Sequence, residues 1–388
     1  MRRVAAMAVA AAVLATAAGT ASAAPWAQYG FNAQHTSQNR FETTLTRANV
    51  HRLEPAWSRS LGAGVTASSP IVAEGRVFLV TDAGGGQVRA FSEATGMPLW
   101  TVPICAAPGL TGVAPQPAYE NGLVVVADTG GDVAAFDADT GAIDTCLDSG
   151  PAITSAPSVV GDTVYYTDGQ SIYRQPLHTG SGWQAMLSFM GPNSTPAVGH
   201  GEVVVTGGQV IAALSSTTGN VLWHRNLGSL LSSATMNADG SRVYVGGAGV
   251  FALDASTGAT LWRRNPNGSN MTTPALAGGL ILSNSEDVST GLHAYTASGQ
   301  LRWVDQNAGE SLATVSAANG VVYDVSDGGF LEALDPANGH LLHRVFPTGD
   351  GLGWDIGDQA AVVDGRVLAV SQGGTLPGPT RLDAFALK

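Results

Sequence analysis

The sequence predicts an all-β chain: one eight-bladed β-propeller of four-stranded antiparallel blades that dock through tryptophans. Three observations carry that expectation. The first is a repeated phrase, a short apolar stretch, then Thr-Gly or a near relative, then Trp. It reads Ala90-Phe91 … Thr95-Gly96 … Trp100, Ala213-Leu214 … Thr218-Gly219 … Trp223 and Ala252-Leu253-Asp254 … Thr257-Gly258 … Trp262. Its glycine recurs at Gly96, Gly141, Gly180, Gly219, Gly258, Gly299 and Gly339, in steps of 45, 39, 39, 39, 41 and 40 residues. A period near forty marks one supersecondary unit stacked many times. The second observation is composition: 50 glycines with only 12% charged residues suit a turn-rich β protein rather than a helical one. The third is that the two ends complement each other. The last unit, ending Asp383-Ala384-Phe385-Ala386-Leu387-Lys388, has no Thr-Gly … Trp strand, while Leu53-Glu54-Pro55-Ala56-Trp57 reads like Met97-Pro98-Leu99-Trp100. The N-terminal strand is expected to complete the eighth blade and close the ring.

Within one unit the elements follow in order. Ser68-Ser69-Pro70-Ile71-Val72 leads to a Glu74-Gly75 turn, and Val77-Phe78-Leu79-Val80 runs apolar. After Gly84-Gly85-Gly86 comes Val88-Arg89-Ala90-Phe91, and past Thr95-Gly96 a last strand ends in Leu99-Trp100. Short β signals punctuated by glycine turns read as a meander. Equivalent first strands are expected near Gln116-Ala118, Ala156-Val159, Thr195-Val198, Ser233-Met236, Thr273-Leu276, Thr314-Ala317 and Gln359-Val362. Trp57, Trp100, Trp183, Trp223, Trp262 and Trp303 are expected to present flat apolar faces to the adjoining blade.

Residues 1–23 read as a secretory signal: Arg2-Arg3, an apolar run to about Ala18, and an Ala21-Ser22-Ala23 end with cleavage after Ala23. An N-terminal anchor is the alternative, but the apolar run is short for a span. The propeller would then occupy 24–388 of a secreted, monomeric protein with no membrane span. Cleavage leaves 16 basic residues against 30 acidic ones, a formal charge of −14 in place of −12. That acidity argues against nucleic acid and anionic membranes as partners. Cys105 and Cys146 each follow the Thr-Gly phrase of consecutive units, so in an exported chain one disulfide stapling neighbours is expected, with two free thiols the alternative.

The phrase Ala-x-Asp-x-x-Thr-Gly-x-x-x-Trp resembles the tryptophan-docking repeat of pyrroloquinoline quinone (PQQ) propeller proteins. The lead-in Trp26-Ala27-Gln28-Tyr29-Gly30-Phe31 … Asn39-Arg40 … Leu45-Thr46 … Asn49-Val50 … Leu53 … Ala56-Trp57 is similar to the start of the quinoprotein alcohol dehydrogenases and of the polyvinyl-alcohol dehydrogenase group. The resemblance spans essentially the whole mature chain. It implies either a PQQ- and calcium-dependent dehydrogenase, with both groups at one mouth of the central channel, or a cofactor-free propeller that binds protein partners. Several features depart from the dehydrogenases. The cysteines are 41 residues apart rather than adjacent, there is no Cys-x-x-Cys-His, the blades are compact, and few Lys or Arg fall near the innermost strands. PQQ carries three carboxylates, so the last departure bears directly on its binding.

Residues leading into the innermost strands are small and hydroxylated: Ser68-Ser69, Thr154-Ser155, Ser194-Thr195, Ser232-Ser233 and Thr272-Thr273. In the last blades they become acidic or amide-bearing: Asn270, Glu310, and Trp354-Asp355 … Asp358. All should converge on one mouth. Asn270, Glu310 and Asp355 offer the oxygen donors that calcium takes. Trp354 would stack on a planar ring, and Asp355 or Asp358 would act as base on an alcohol. The plainer reading, carboxylates capping turns at a solvated rim, is favoured. No Gly-x-Ser-x-Gly elbow, His-Glu-x-x-His pair or phosphate-cradling Gly-Lys-Ser/Thr loop is present. The expected function is therefore a non-catalytic binding or scaffold propeller, presenting its channel mouth to a protein partner or to an extracellular small-molecule or polymer ligand. The alternative is a PQQ- and calcium-dependent alcohol or polyvinyl-alcohol dehydrogenase, and a lyase or isomerase is a third possibility.

Overall fold

The computed structural model describes residues 24–105, 115–148, 150–264, 272–285, 291–305, 313–326, 329–347, 354–356, 359–373 and 378–388. They form eight sheets around a central channel, each built on a four-stranded antiparallel meander. Blade one runs Ile71–Ala73, Arg76–Thr81, Gln87–Ser92, Pro98–Pro103 from the innermost strand outward. The eighth is closed as expected: Leu53–Ala63 lies antiparallel to Pro379–Leu387, with Leu53 opposite Leu387 and Trp57 opposite Ala384. Innermost strands start one to three residues later than the apolar pattern suggests, because the hydroxyl residues before them are capping rather than pairing.

The docking motif follows from a bulge. Between third and fourth strands the register slips at the same place in most blades, and a small residue ends up opposite the tryptophan: Ala90–Trp100, Ala213–Trp223, Ala252–Trp262 and Ala294–Trp303. The ring then reaches the Thr-Gly turn of the next blade. Trp57, Trp100, Trp183, Trp223, Trp262 and Trp303 lie against Gly96, Gly141, Gly219, Gly258, Gly299 and Gly339 respectively. Each indole N–H donates to a backbone carbonyl of that turn, at 3.0 Å for Trp57 to Glu93 and 2.9 Å for Trp262 to Ala297. A Cβ on any of these glycines would overlap the ring, and at Gly258 φ is +68°, a region costly for other residues.

Two junctions lack the tryptophan. In blade two the equivalent residue is Thr145, opposite Ala135. The Cys105–Cys146 disulfide lies elsewhere, across blades one and two, a junction that also keeps Trp100 on Gly141, with Cα atoms 6.0 Å apart. Closing a 41-residue loop is worth about 4 kcal/mol on chain-entropy grounds. The turn of blade three is held instead by His178, whose ring bridges Asp162 and, at 2.6 Å, Asp144. In blade seven the residue is His343, which donates from Nε2 to Leu53 O at 2.8 Å and so ties blade seven to the closing strand.

The lead-in segment is the element that sequence reasoning did not place. Trp26–Asn39 circles the channel and bonds the innermost strand of every blade in chain order. Val72 N–H donates to Trp26 O, Tyr119 to Ala27, Val198 to Ala33, Met236 to Gln34, Leu276 to Thr36 and Ala317 to Ser37, at 2.6–3.0 Å. In blade three the Gln28 side chain substitutes, accepting from Val159 N–H at 2.9 Å, and in blade eight Asn39 Nδ2 donates to Val362 O at 2.9 Å. Innermost strands are sheet edges, and the lead-in pairs groups that would otherwise face the channel unmatched. His35 sits at the hub with none of its surface exposed. Its Nδ1–H donates to Ala234 O at 2.9 Å, and its ring meets Tyr29 edge-on at 5.0 Å. Desolvation pushes its pKa down to about 4, so it is held neutral.

The docking contact predicts its own mutational signature. Gly258→Ala is expected to destabilise by roughly 2–4 kcal/mol through overlap and strain, and Trp223→Ala by about 3–5 kcal/mol. Because both break one contact, the double variant should cost clearly less than their sum in urea unfolding, whereas pairing Trp223→Ala with Gly96→Ala should be additive. Additive behaviour at both sites would contradict docking as described.

The two histidines give opposite pH signatures. His35 has its folded pKa depressed, so the unfolded chain binds the extra proton and wild-type stability is lost as pH falls from about 6.5 towards 4, by up to about 1.4 kcal/mol per unit. His178 has its pKa raised by its hydrogen bonds to Asp162 and Asp144, so its contribution is complete below the unfolded value and disappears as pH rises through the folded one. The readout is the difference between wild type and His35→Gln or His178→Asn. Buried Glu93, pushed up to about 7 chiefly by desolvation, titrates in the same window and cancels in that difference. A pH-independent difference for either variant would refute its assignment.

Candidate functional site

The hydroxyls before the innermost strands, expected to favour a ligand site, are largely used within the blades. Ser68, Ser155, Ser194, Ser232 and Thr272 accept the backbone N–H of Val80, Thr167, Thr206, Gly246 and Asn284 at 2.8–3.1 Å. Each caps the start of its blade where the first two strands diverge, which explains the recurrence without a ligand. The residue that follows behaves differently and turns to the channel. Ser69 Oγ accepts from Gln359 N–H at 3.1 Å, and Thr273 Oγ1 shares a 2.6 Å hydrogen bond with Tyr29 OH.

Tyr29 thereby crosses the channel from the lead-in to blade six and forms a floor. Beside it lies a cavity of about 430 Å³, lined by the approaches to blades two, three and four: Gln116, Thr129, Ile153, Thr154, Ala156 and Thr195 among others. Its polar groups are hydroxyls and one amide. Gln116 spends its nitrogen on Pro70 O at 3.5 Å, and Thr154 donates to Thr167 O at 3.2 Å. Among the described residues the Thr195 hydroxyl has no hydrogen-bond partner.

No cationic side chain lines this cavity. All 16 basic residues beyond Arg3 lie in described segments, and their partners are elsewhere. Arg59 and Arg225 donate to carbonyls of the docking turns, at 2.8 and 2.6 Å. Others pair with carboxylates of turns and outer strands: Arg76 with Asp139 at 2.5 Å, Arg366 with Glu93 at 3.2 Å, and Lys388 with Glu54 at 2.7 Å. Segments 106–114, 265–271, 306–312 and 348–353 contain no Lys or Arg either. A ligand with three carboxylates finds no countercharge here, so the residues present do not fit PQQ.

Of the residues proposed for metal and base roles, Asn270, Glu310 and Asp358 lie outside the described residues. Trp354 and Asp355 are described in backbone only, in a short strand Trp354–Ile356 that pairs Trp354 with Gly373 and Asp355 with Gln372. The acidic character expected of the later blades does occur among the described residues, but between blades six and seven. Asp324 and Glu332 face each other on adjacent strands, both buried, where blade four has Val205 and Ala212. Asn284 donates to Asp324 at 3.0 Å, and Arg344 pairs with Glu332 at 2.5 Å. Burial holds the Glu332 carboxyl above the usual range despite that arginine. The cavity there, about 820 Å³, opens beside the docking turn Asn338-Gly339-His340 and not into the channel. Sequence reasoning gave Tyr29 and His35 no role and named Thr195 only as one of a hydroxyl pair expected at the mouth. Tyr29 and His35 lie in the non-repeating lead-in, and Thr195 sits in a hydroxyl pair whose first member is the structural one.

Comparisons with known proteins agree on the fold. The quinohemoprotein alcohol dehydrogenase of Comamonas testosteroni superposes with a TM-score of 0.73 at 17% identity, over 95% of this chain and 81% of that one. A europium-containing methanol dehydrogenase gives 0.75 at 15%, over 95% and 99%. BamB of Moraxella catarrhalis gives 0.65 at 18%, over 86% and 100%. No curated protein matches the chain by sequence. The family model described as outer membrane protein assembly factor BamB matches residues 21–212 and 207–378, and with that match across its length the chain belongs to this family of PQQ-repeat propellers.

Proposed function

We infer that the protein is a non-catalytic binding propeller, exported after cleavage behind Ala23, that presents the open mouth of its channel to a ligand or partner. One observation carries this reading: the cavity at the mouth is lined by hydroxyl, amide and apolar groups without a cation, and the lead-in closes the channel beneath it. Such a site can recognise but holds no group placed for quinone chemistry. Among the described residues no helix is long and apolar enough to cross a membrane.

A second reading, a PQQ- and calcium-dependent dehydrogenase of alcohols, is favoured by the likeness to the two dehydrogenase structures. In it Glu310, Asn270 and Asp355 would hold calcium, and Asp355 or Asp358 would take the alcohol proton. Adding PQQ and calcium to the purified mature chain separates the readings. The binding propeller shows no saturable change in quinone absorbance and no dye reduction with short or polymeric alcohols. Saturable uptake with turnover that Asp355→Asn abolishes would establish the dehydrogenase. Intact mass of the secreted chain tests the export reading, which requires a first residue of Ala24.

A further inference from the structure

We propose that the cavity above Tyr29 binds the end of a neutral saccharide. The proposal rests on the reading of this mouth as the binding surface and adds the chemical class of what it takes.

Charge removes most alternatives. An anionic ligand needs a countercharge, and every Lys and Arg beyond residue 23 is placed away from the cavity. A cationic ligand needs a carboxylate, and none is among the described lining residues. What remains is an uncharged molecule able to satisfy hydroxyl and amide groups. Among the described residues none engages the Thr195 hydroxyl, and Gln116 commits its nitrogen to Pro70 O while its Oε1 has no hydrogen-bond partner among them. These polar groups alternate with Pro115, Ile153 and Ala156. A pyranose has the matching character, with hydroxyls around its edge and C–H groups on its faces. Pockets of a few hundred Å³ are the size that small ligands fill, and about 430 Å³ accommodates a mono- or disaccharide unit but no folded segment.

Shape adds a second constraint. Tyr29 is anchored on both sides, by its hydroxyl to Thr273 at 2.6 Å and by its ring against His35 at 5.0 Å. Below it the lead-in is bonded to all eight blades. With Tyr29 and the lead-in beneath the cavity, a polymer is recognised at a terminus rather than threaded through the ring.

The test uses the mature full chain and calorimetric or ligand-observed NMR titration with maltotriose, cellotriose and xylotriose. Trigalacturonate serves as the anionic counterpart and the glucosamine trimer as the cationic one. At least one neutral trisaccharide should bind saturably, and the longer polymer of the same sugar should bind per chain end rather than per sugar unit. Thr195→Val, which keeps the side-chain shape, should weaken binding about tenfold by removing one hydrogen bond in a desolvated site. Ala156→Trp should abolish binding by filling the cavity, and unchanged thermal unfolding shows that each variant is folded. Failure of all three neutral probes at millimolar concentration overturns the saccharide assignment. So does neutral binding that neither variant affects. If trigalacturonate or the glucosamine trimer binds in a manner Ala156→Trp blocks, the mouth stands as the binding surface and only the ligand class is wrong. If no probe responds to Ala156→Trp, the saccharide assignment falls, and the binding reading is decided separately by the quinone and calcium titration.

Discussion

The structure depends on how the inner rim of the ring is satisfied. Every blade ends at the channel in an edge strand whose backbone groups have no partner within the sheet, and eight such edges surround one axis. Left bare they would have to be hydrated in a narrow channel or paired with foreign strands. The lead-in answers all eight with one short segment, using main chain at six blades and Gln28 and Asn39 at the other two. A single neutral histidine at its centre then fixes the segment to blade five. Because this segment occupies the inner rim, what a small molecule meets along the axis is set by the lead-in as much as by the blades.

Inter-blade docking is a separate and more tolerant system. Six junctions use tryptophan on glycine, yet the ring also accommodates a histidine–carboxylate link between blades two and three and a histidine-to-carbonyl bond between blades seven and eight. The substitutions are chemically unlike the tryptophan but satisfy the same demand, a tie from one outer strand to the next blade. Polar core positions between blades six and seven show the same tolerance, since Asp324 and Glu332 are held by Asn284 and Arg344 where blades two and four use the aliphatic pairs Val126–Ala134 and Val205–Ala212.

The repeating part of the fold was legible in the sequence, and the reason is physical. Each blade solves the same packing problem, so Ala opposite Trp and Gly beneath Trp recur at fixed spacing, and Trp57 betrayed ring closure because it obeys the same rule. The lead-in solves a problem that occurs once, and nothing periodic announces it: Tyr29 and His35 looked like ordinary residues between two motifs. The paired hydroxyls misled for the opposite reason. Ser68, Ser155, Ser194, Ser232 and Thr272 repeat because five blades use the same cap, whereas Thr195 shares its place with Ser69, Ser233 and Thr273 and so was not singled out by position.

The order in which the chain is made bears on that closing arrangement. Trp26–Asn39 and Leu53–Ala63 precede everything they bind, and their last partners, Val362 and the strand Pro379–Leu387, lie more than 300 residues downstream. The lead-in can therefore meet its first blades early, but Asn39 and the closing strand wait for the last blade, and no partial chain holds the ring shut. Contacts of such long sequence separation make closure slow relative to forming individual blades. Throughout synthesis the protein is a string of locally formed sheets with open edges, and its architecture is settled by one late, global event.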